Sequence, residues 1–528
     1  MGAPSISFSP SPPLRLTIST ADPSAEPLIT DDAVLADLPR RSARGGVIQV
    51  GAQGIQLLLT VASGAVLARL LSPVDFGIVG MAATLTSLAS VVRDFGLPMA
   101  TVQRAELDER DVSSLFWMGL RLNLALAVGL VLAAPAAASL YDEPRVVEVV
   151  AIVALSGIVA GMSAQHEALL IRQMRFATLR AVDLSSLAVA MIAGIVFAMA
   201  GAGYRALVWQ SFLGVAIRTI ALWRASGWRP APDGPRSERV AVLASFGWNH
   251  TGAKVLRHIA QNTDQAVVGY LFGARQLGFY DSAYRWSISA MQQIYTPLQN
   301  VAVSGLSRLQ HDPRVFRVAA RRALLPVFSA ILPVLAYLAV QARPVVLALL
   351  GDRWEPSAPL FRVLCIAAMG SVVARGANWL YLAEGRTRRQ LRWGFVALPV
   401  VVVAVFLGAT RGPLGVAMGF ATANWLLAVP EVLFCLRGSR VTARDYFAAV
   451  GRPLAAAAVA AVAVAVAFAW RGDAGPTAGV DVVRLMLSSF VFGVVYLLTW
   501  LAIPGGRGAA RELVTLWRAS TARRTSRA

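Results

Sequence analysis

Five side chains able to carry charge or hydrogen bonds recur along one otherwise apolar stretch: His250, Lys254, Arg257, Gln261 and Asp264. Steps of 4, 3, 4 and 3 residues put them in one stripe of an α-helix, since each residue turns the helix by about 100°. Arginine presents a planar donor fork to phosphate oxygens, lysine a compact charge, and amides both donors and acceptors. Such a stripe suits a ligand that joins an anionic group to hydroxyls. His250 and His258 add groups that could titrate in proton coupling. The same spacing occurs in the first apolar stretch as Gln49, Gln53, Gln56, Thr60 and Ser63, each 201 positions before its counterpart (250 − 49, 264 − 63). A wet stripe occurring twice predicts two related halves around a hydrated cavity.

The helix after the charged stripe carries a third polar face of Asp281, Arg285, Gln292, Thr296 and Gln299. Lys254, Arg257 and Arg285 are the candidates for attracting a phosphate-bearing headgroup. Gln53, Gln56, Gln261 and Gln292 are the candidates for the remaining contacts, and Arg121 and Asp183 for a further part of the wall. Asp264, Asp281, His250 and His258 are candidates for coupling or for ion pairs. Lys254 and Arg257 neutralising Asp264 or Asp281 is the structural alternative, and Asp281 with Arg285, four apart, reads as a helix-local pair. Lys254, Arg257 and Asp264 facing lipid would together cost about 8–10 kcal/mol, so the stripe is expected to face inward.

The elements that hold these residues follow from composition. The chain has 528 residues, 56% hydrophobic and 15% charged, with a mean hydropathy of +0.60. Soluble domains carry about 25% charged residues, so an all-α polytopic membrane protein is expected. Fourteen apolar segments are long enough to span a bilayer. The first six fall near 45–70, 74–97, 113–140, 147–171, 178–200 and 203–223. The next six fall near 241–272, 278–305, 322–350, 357–383, 391–409 and 412–436, and two more near 446–470 and 481–503. The expected organisation is a disordered tail (1–44), an N-terminal lobe (45–226), a C-terminal lobe (240–437), two extra helices (438–503) and a basic tail (504–528). Within the repeat, Gly77 matches Gly278 and Ala82 matches Ala283 at the 201-residue offset, and Gly157 matches Gly370 at 213.

The formal charge is +20, and Lys254 is the only lysine. Alternate connections concentrate arginine, as in Arg172, Arg175 and Arg180 or Arg386, Arg388, Arg389 and Arg392. Roughly thirty arginines fall on one side and about nine on the other, which places both termini in the cytoplasm by the positive-inside rule. Topology therefore accounts for the charge, and nucleic acid is not an expected partner. Cys365 and Cys435 lie in apolar segments and imply no disulfide framework. No His/Cys metal cluster, phosphate-binding glycine loop or nucleophile elbow is present in the sequence, so neither a cofactor nor an enzymatic activity is expected.

Several stretches resemble the polysaccharide transporter (Wzx-type) flippases of the multidrug/oligosaccharidyl-lipid/polysaccharide exporter superfamily. They are Leu67-Ala-Arg-Leu-Leu-Ser-Pro-Val-Asp-Phe-Gly77, Asp94-Phe-Gly-Leu-Pro-Met-Ala-Thr-Val-Gln-Arg104, Asp264 with Gly269 and Gly278, and Leu350-Gly-Asp-Arg-Trp-Glu-Pro356. The resemblance runs from about residue 45 to 440. It implies fourteen helices with two six-helix lobes, a bacterial inner-membrane location and alternating access. It further implies export of polyprenyl-pyrophosphate-linked oligosaccharide units for exopolysaccharide, colanic-acid-like or O-antigen biosynthesis. The partners it implies are that lipid-linked oligosaccharide, membrane lipids, and polysaccharide polymerase and export machinery. A drug/cation antiporter or lipid II flippase of the same superfamily is the alternative; the antiporter would favour acidic, aromatic walls.

Overall fold

The computed structural model describes residues 32–93, 101, 109–232, 248–469, 478–506 and 508. Among them there is no strand, and the helices are α1 (Asp32–Leu70), α2 (Pro73–Arg93), α3 (Glu109–Tyr141), α4 (Arg145–Arg172), α5 (Phe176–Met199) and α6 (Tyr204–Ser226). Next come α7 (Trp248–Tyr284), α8 (Ala290–Arg308), α9 (Pro313–Val340), the short α10 (Ala342–Leu350), α11 (Ser357–Ala383), α12 (Thr387–Ala409) and α13 (Gly412–Leu436). α14 (Ala443–Ala469) and α15 (Ala478–Ala502) close the chain. The first part of the expected tail, residues 1–31, lies outside the described residues, and residues 32–44 belong to the first helix. The good helix formers Ala, Leu and Arg dominate that stretch.

Twelve of these helices are long and apolar enough to cross a membrane. α7 and α8 are not among the twelve, because their polar faces lower the mean hydropathy. Apolarity alone therefore does not reach the expected fourteen. Large apolar side chains point away from the protein: Leu132 on α3, Leu407 on α12, Val466 on α14 and Phe490 on α15 are each more than two-thirds exposed. Such an outer surface is stable only in lipid, where helices satisfy their own backbone groups.

Packing repeats within the chain. In the first six helices α1 packs on α5, α2 on α4, α3 on α4, α4 on α6 and α5 on α6. The next six reproduce these relations: α7 on α12, α8 on α11, α9 on α11, α11 on α13 and α12 on α13. α14 lies against α9 and α15.

The two sets meet most extensively where α2 packs on α7. α7 bends sharply at Gly273, whose φ of 76° and ψ of 178° only glycine adopts without strain. The bend lets the last turns of α7 lie beside the start of α2. A Cβ on Gly77 would stand 1.7 Å from the Ala274 carbonyl oxygen, and one on Gly278 would stand 1.8 Å from that of Pro73. These are reciprocal contacts between positions related by the 201-residue offset, so the duplication has built a quasi-twofold backbone crossing. Beside it Trp354 is fully buried, edge-on to Phe76 and Phe279, and its Nε1 donates to the Ala68 carbonyl at 2.8 Å. Arg69 donates across to the Ala348 carbonyl at 2.8 Å. The arginine-poor end of the bundle is thus sealed. The helix that begins after Gly273 takes a π turn over Arg285–Ser289 and then runs on as α8.

Candidate functional site

The stripe on α7 divides between two neighbourhoods. Arg257 and Gln261 turn into the second half, where they line a cavity of about 100 Å³ with Arg375 of α11, Gln390 and Trp393 of α12, and Asn424 and Glu431 of α13. α7 reaches these residues because it packs on α11, α12 and α13 together. Glu431 lies within electrostatic reach of both arginines. Two guanidinium groups against one carboxylate leave this lining with a formal charge of +1.

The surrounding polar groups hold the arrangement in place. Tyr295 donates its hydroxyl to the Arg375 carbonyl at 2.6 Å, and the Arg375 guanidinium lies 6.0 Å from the Tyr295 ring centroid. Ser371 donates to Asn424 Oδ1 at 2.7 Å, while Asn424 Nδ2 donates to the Phe420 carbonyl. Gln390 donates to Asn378 Oδ1 and leaves its own Oε1 buried without a partner. A buried acceptor of that kind is costly unless something donates to it, which marks the cavity as a place for a ligand or water.

His258, one residue along α7, faces the other way. Its Nε2 lies 2.9 Å from Ser87 Oγ on α2, and Asn262 Nδ2 donates to its carbonyl at 2.7 Å. This is a polar bridge between the halves. The side chains of His250 and Lys254 lie outside the described residues.

Asp264 is fully buried and accepts a 2.7 Å hydrogen bond from the Tyr280 hydroxyl, across the bend at Gly273. The fold of α7 back toward its own second part, rather than a watery wall, surrounds this carboxylate. Asp281 and Arg285 form the helix-local ion pair at 2.8 Å, and the Arg285 guanidinium also lies 5.6 Å from the centroid of the Phe76 ring.

Gln53 and Gln56 are half-buried on α1, and Gln292 is half-buried on α8. The Gln56 and Gln292 carbonyls accept from Thr60 and Thr296 one turn later. α1 packs on α5 and touches α10, and among the described residues it shares no substantial packing with α7. The two stripes therefore do not meet face to face. Asp183 does not join a common wall either: it pairs with Arg180 at 3.1 Å and with Arg218 at 2.8 Å, and Arg218 reaches Glu167 at 3.0 Å. Arg121 is exposed on α3.

Arg375 and Glu431 are the members that the stripes did not reveal. Each is a charged residue within an apolar span, and the insertion cost of up to about 2.5–3.5 kcal/mol for a charge at a span's centre is the signal that could have found them.

A model of the family described as "polysaccharide biosynthesis protein" matches residues 66–359, more than half the chain. Among curated relatives, the chain is 23% identical to the lipopolysaccharide biosynthesis protein WzxC of Escherichia coli (strain K12), over 67% of this chain and 73% of that protein. It is 27% identical to the succinoglycan biosynthesis transport protein ExoT of Rhizobium meliloti (strain 1021), over 70% and 73%. Among solved structures it superposes on a lipid II flippase, MurJ, in an inward closed conformation, with a TM-score of 0.64 at 12% identity, covering 87% of this chain and 99% of that one. At that identity the likeness establishes a shared fold.

Proposed function

The chain belongs to the polysaccharide biosynthesis protein family, and from that premise we propose that it flips polyprenyl-pyrophosphate-linked oligosaccharide repeat units across the bacterial inner membrane. It is a multi-pass membrane protein whose relatives are transport and polysaccharide biosynthesis proteins, not enzymes. In this reading residues 45–226 and 240–437 form two lobes whose rocking opens and closes the glycine crossing. Both termini face the cytoplasm, and export delivers the unit to the polymerase and export machinery.

The observation that carries the proposal is the cationic cavity of Arg257 and Arg375 against the single carboxylate of Glu431. At about 100 Å³ it is well below the ~300–1,000 Å³ of sites that enclose a whole small molecule. It therefore serves one anionic group, the carrier's phosphate, while the glycan and lipid tail lie elsewhere. Arginine forks bind phosphate oxygens in pairs. Glu431 keeps that attraction moderate, so that the headgroup is released on the far side. The net positive charge also argues against a drug/cation antiporter, which needs acidic walls. Lys254 and Gln261 extend the same face of α7, and Gln53, Gln56, Gln292 and Arg285 contact the unit when the lobes part. Asp264, Asp281, His250 and His258 remain the groups available for coupling.

Deleting the gene is expected to leave lipid-linked repeat units on the cytoplasmic leaflet. Arg257→Glu, at unchanged protein abundance, is expected to reproduce that accumulation. Accumulation in neither strain would remove the proposal.

A further inference from the structure

A second and larger cavity, of about 290 Å³, lies inside the first half between α2, α3, α4 and α6. Its polar lining has a consistent chemistry. The hydroxyls of Thr86, Ser90, Ser156 and Ser211 each donate to a backbone carbonyl of their own helix, at 3.0, 2.6, 2.8 and 2.9 Å. Asn123 Nδ2 likewise donates to the Gly119 carbonyl at 2.8 Å. With these hydroxyl protons committed, the four oxygens are left as acceptors for a ligand's donors, while Asn123 keeps one N–H and its Oδ1. The cation of the lining is Arg93.

Two glycines of α4 border these polar side chains, and Gly161 makes room for one of them. A Cβ on Gly161 would stand 2.8 Å from Asn123 Cγ and Nδ2, and one on Gly157 would lie 3.7 Å from Arg93 Nη1. The Gly157/Gly161 pair on α4, which reads in sequence as a helix-packing motif, here clears space for a site.

We propose that this cavity is a subsite for one acidic sugar residue of the transported unit, with Arg93 paired to its carboxylate and the acceptor wall taking its ring hydroxyls. The inference rests on the flippase reading given above. The volume sits at the lower limit of small-molecule sites, which fits one ring rather than a chain. A single guanidinium matches one carboxylate in charge, whereas a pyrophosphate would leave negative charge uncompensated in a low-dielectric bundle. The cavity borders the seam between the halves, since Ser87, also in its lining, is the residue that meets His258.

The test uses the purified full chain in lipid nanodiscs, titrated with D-glucuronate, D-glucose and D-glucose 1-phosphate by saturation-transfer NMR. With the phosphate cavity disabled by Arg257→Glu, glucuronate is expected to bind most tightly of the three, and Arg93→Gln to weaken it about tenfold or more. Arg93→Lys should restore part of the loss, and glucose affinity should be indifferent to either change. Gly157→Leu, which fills the guanidinium's space from another helix, should weaken glucuronate in the same way. Equal glucuronate affinity in the native protein and Arg93→Gln, or a preference for glucose 1-phosphate over glucuronate that persists in Arg257→Glu, overturns the subsite. If Arg93→Gln fails to fold, the ranking of the three ligands on Arg257→Glu, which removes the phosphate cavity's attraction, still decides. Flipping is tested by the deletion strain and the subsite by the isolated protein, so either can fail alone.

Discussion

Placing a methyl group on Gly77 or Gly278 tests whether the crossing of α2 and α7 is the contact that the proposed alternating access must break. The Gly77→Ala Cβ would begin 1.7 Å from the Ala274 carbonyl oxygen, and the Gly278→Ala Cβ 1.8 Å from that of Pro73. A tolerable carbon–oxygen contact is about 3.3 Å or more, so the helices must part by roughly 1.5 Å. Both opposing atoms are backbone, which leaves no side chain to rotate away. Overpacking of this kind costs about 1–3 kcal/mol. The cost falls only on the conformation in which the arginine-poor ends touch. It therefore shifts the equilibrium roughly 5–150-fold toward the conformation in which they are apart. Spin labels at Arg145 and Arg353, both exposed near that end, measure the separation by pulsed electron resonance, and accumulation of lipid-linked units measures transport. Gly77→Ala is expected to populate a longer distance and slow export. Gly129→Ala, where nothing lies within 4 Å of the new carbon, serves as the control. An unchanged distance distribution with unchanged export in both Gly77→Ala and Gly278→Ala would refute the reasoning.

Three further outcomes are expected. Glu431→Gln removes the only carboxylate of the cavity lining and raises its formal charge from +1 to +2; anion binding should tighten and export slow, which tungstate or pyrophosphate titration alongside the accumulation assay would show. Trp354→Ala empties a fully buried site between Phe76 and Phe279 and removes the hydrogen bond to Ala68, so thermal unfolding should report a loss of about 3–5 kcal/mol. Arg218→Met leaves Asp183 with Arg180 and takes the cation from Glu167, costing about 1–3 kcal/mol of stability, with export per folded molecule unaffected.

Much of the architecture was legible along the chain. Apolar stretches marked most of the spans. The 201-residue offset that pairs Gly77 with Gly278 announced a duplication that reappears as repeated helix neighbours. Glycine at 273 coincides with the boundary between the seventh and eighth apolar segments, where its φ of 76° permits the bend.

What the sequence by itself determined is which residues share a face of a helix, since that depends only on the turn per residue. It could not say what the face looks at. The stripes of α1 and α7 are alike in spacing, yet only tertiary packing sends Arg257 and Gln261 toward α11, α12 and α13, His258 toward α2, and Asp264 under Tyr280. Arg375 and Glu431 lie more than a hundred residues from Arg257, and Arg93 and Ser211 are equally remote from each other. A helix's rotation about its own axis is decided by the neighbours it packs against, and those neighbours come from distant parts of the chain.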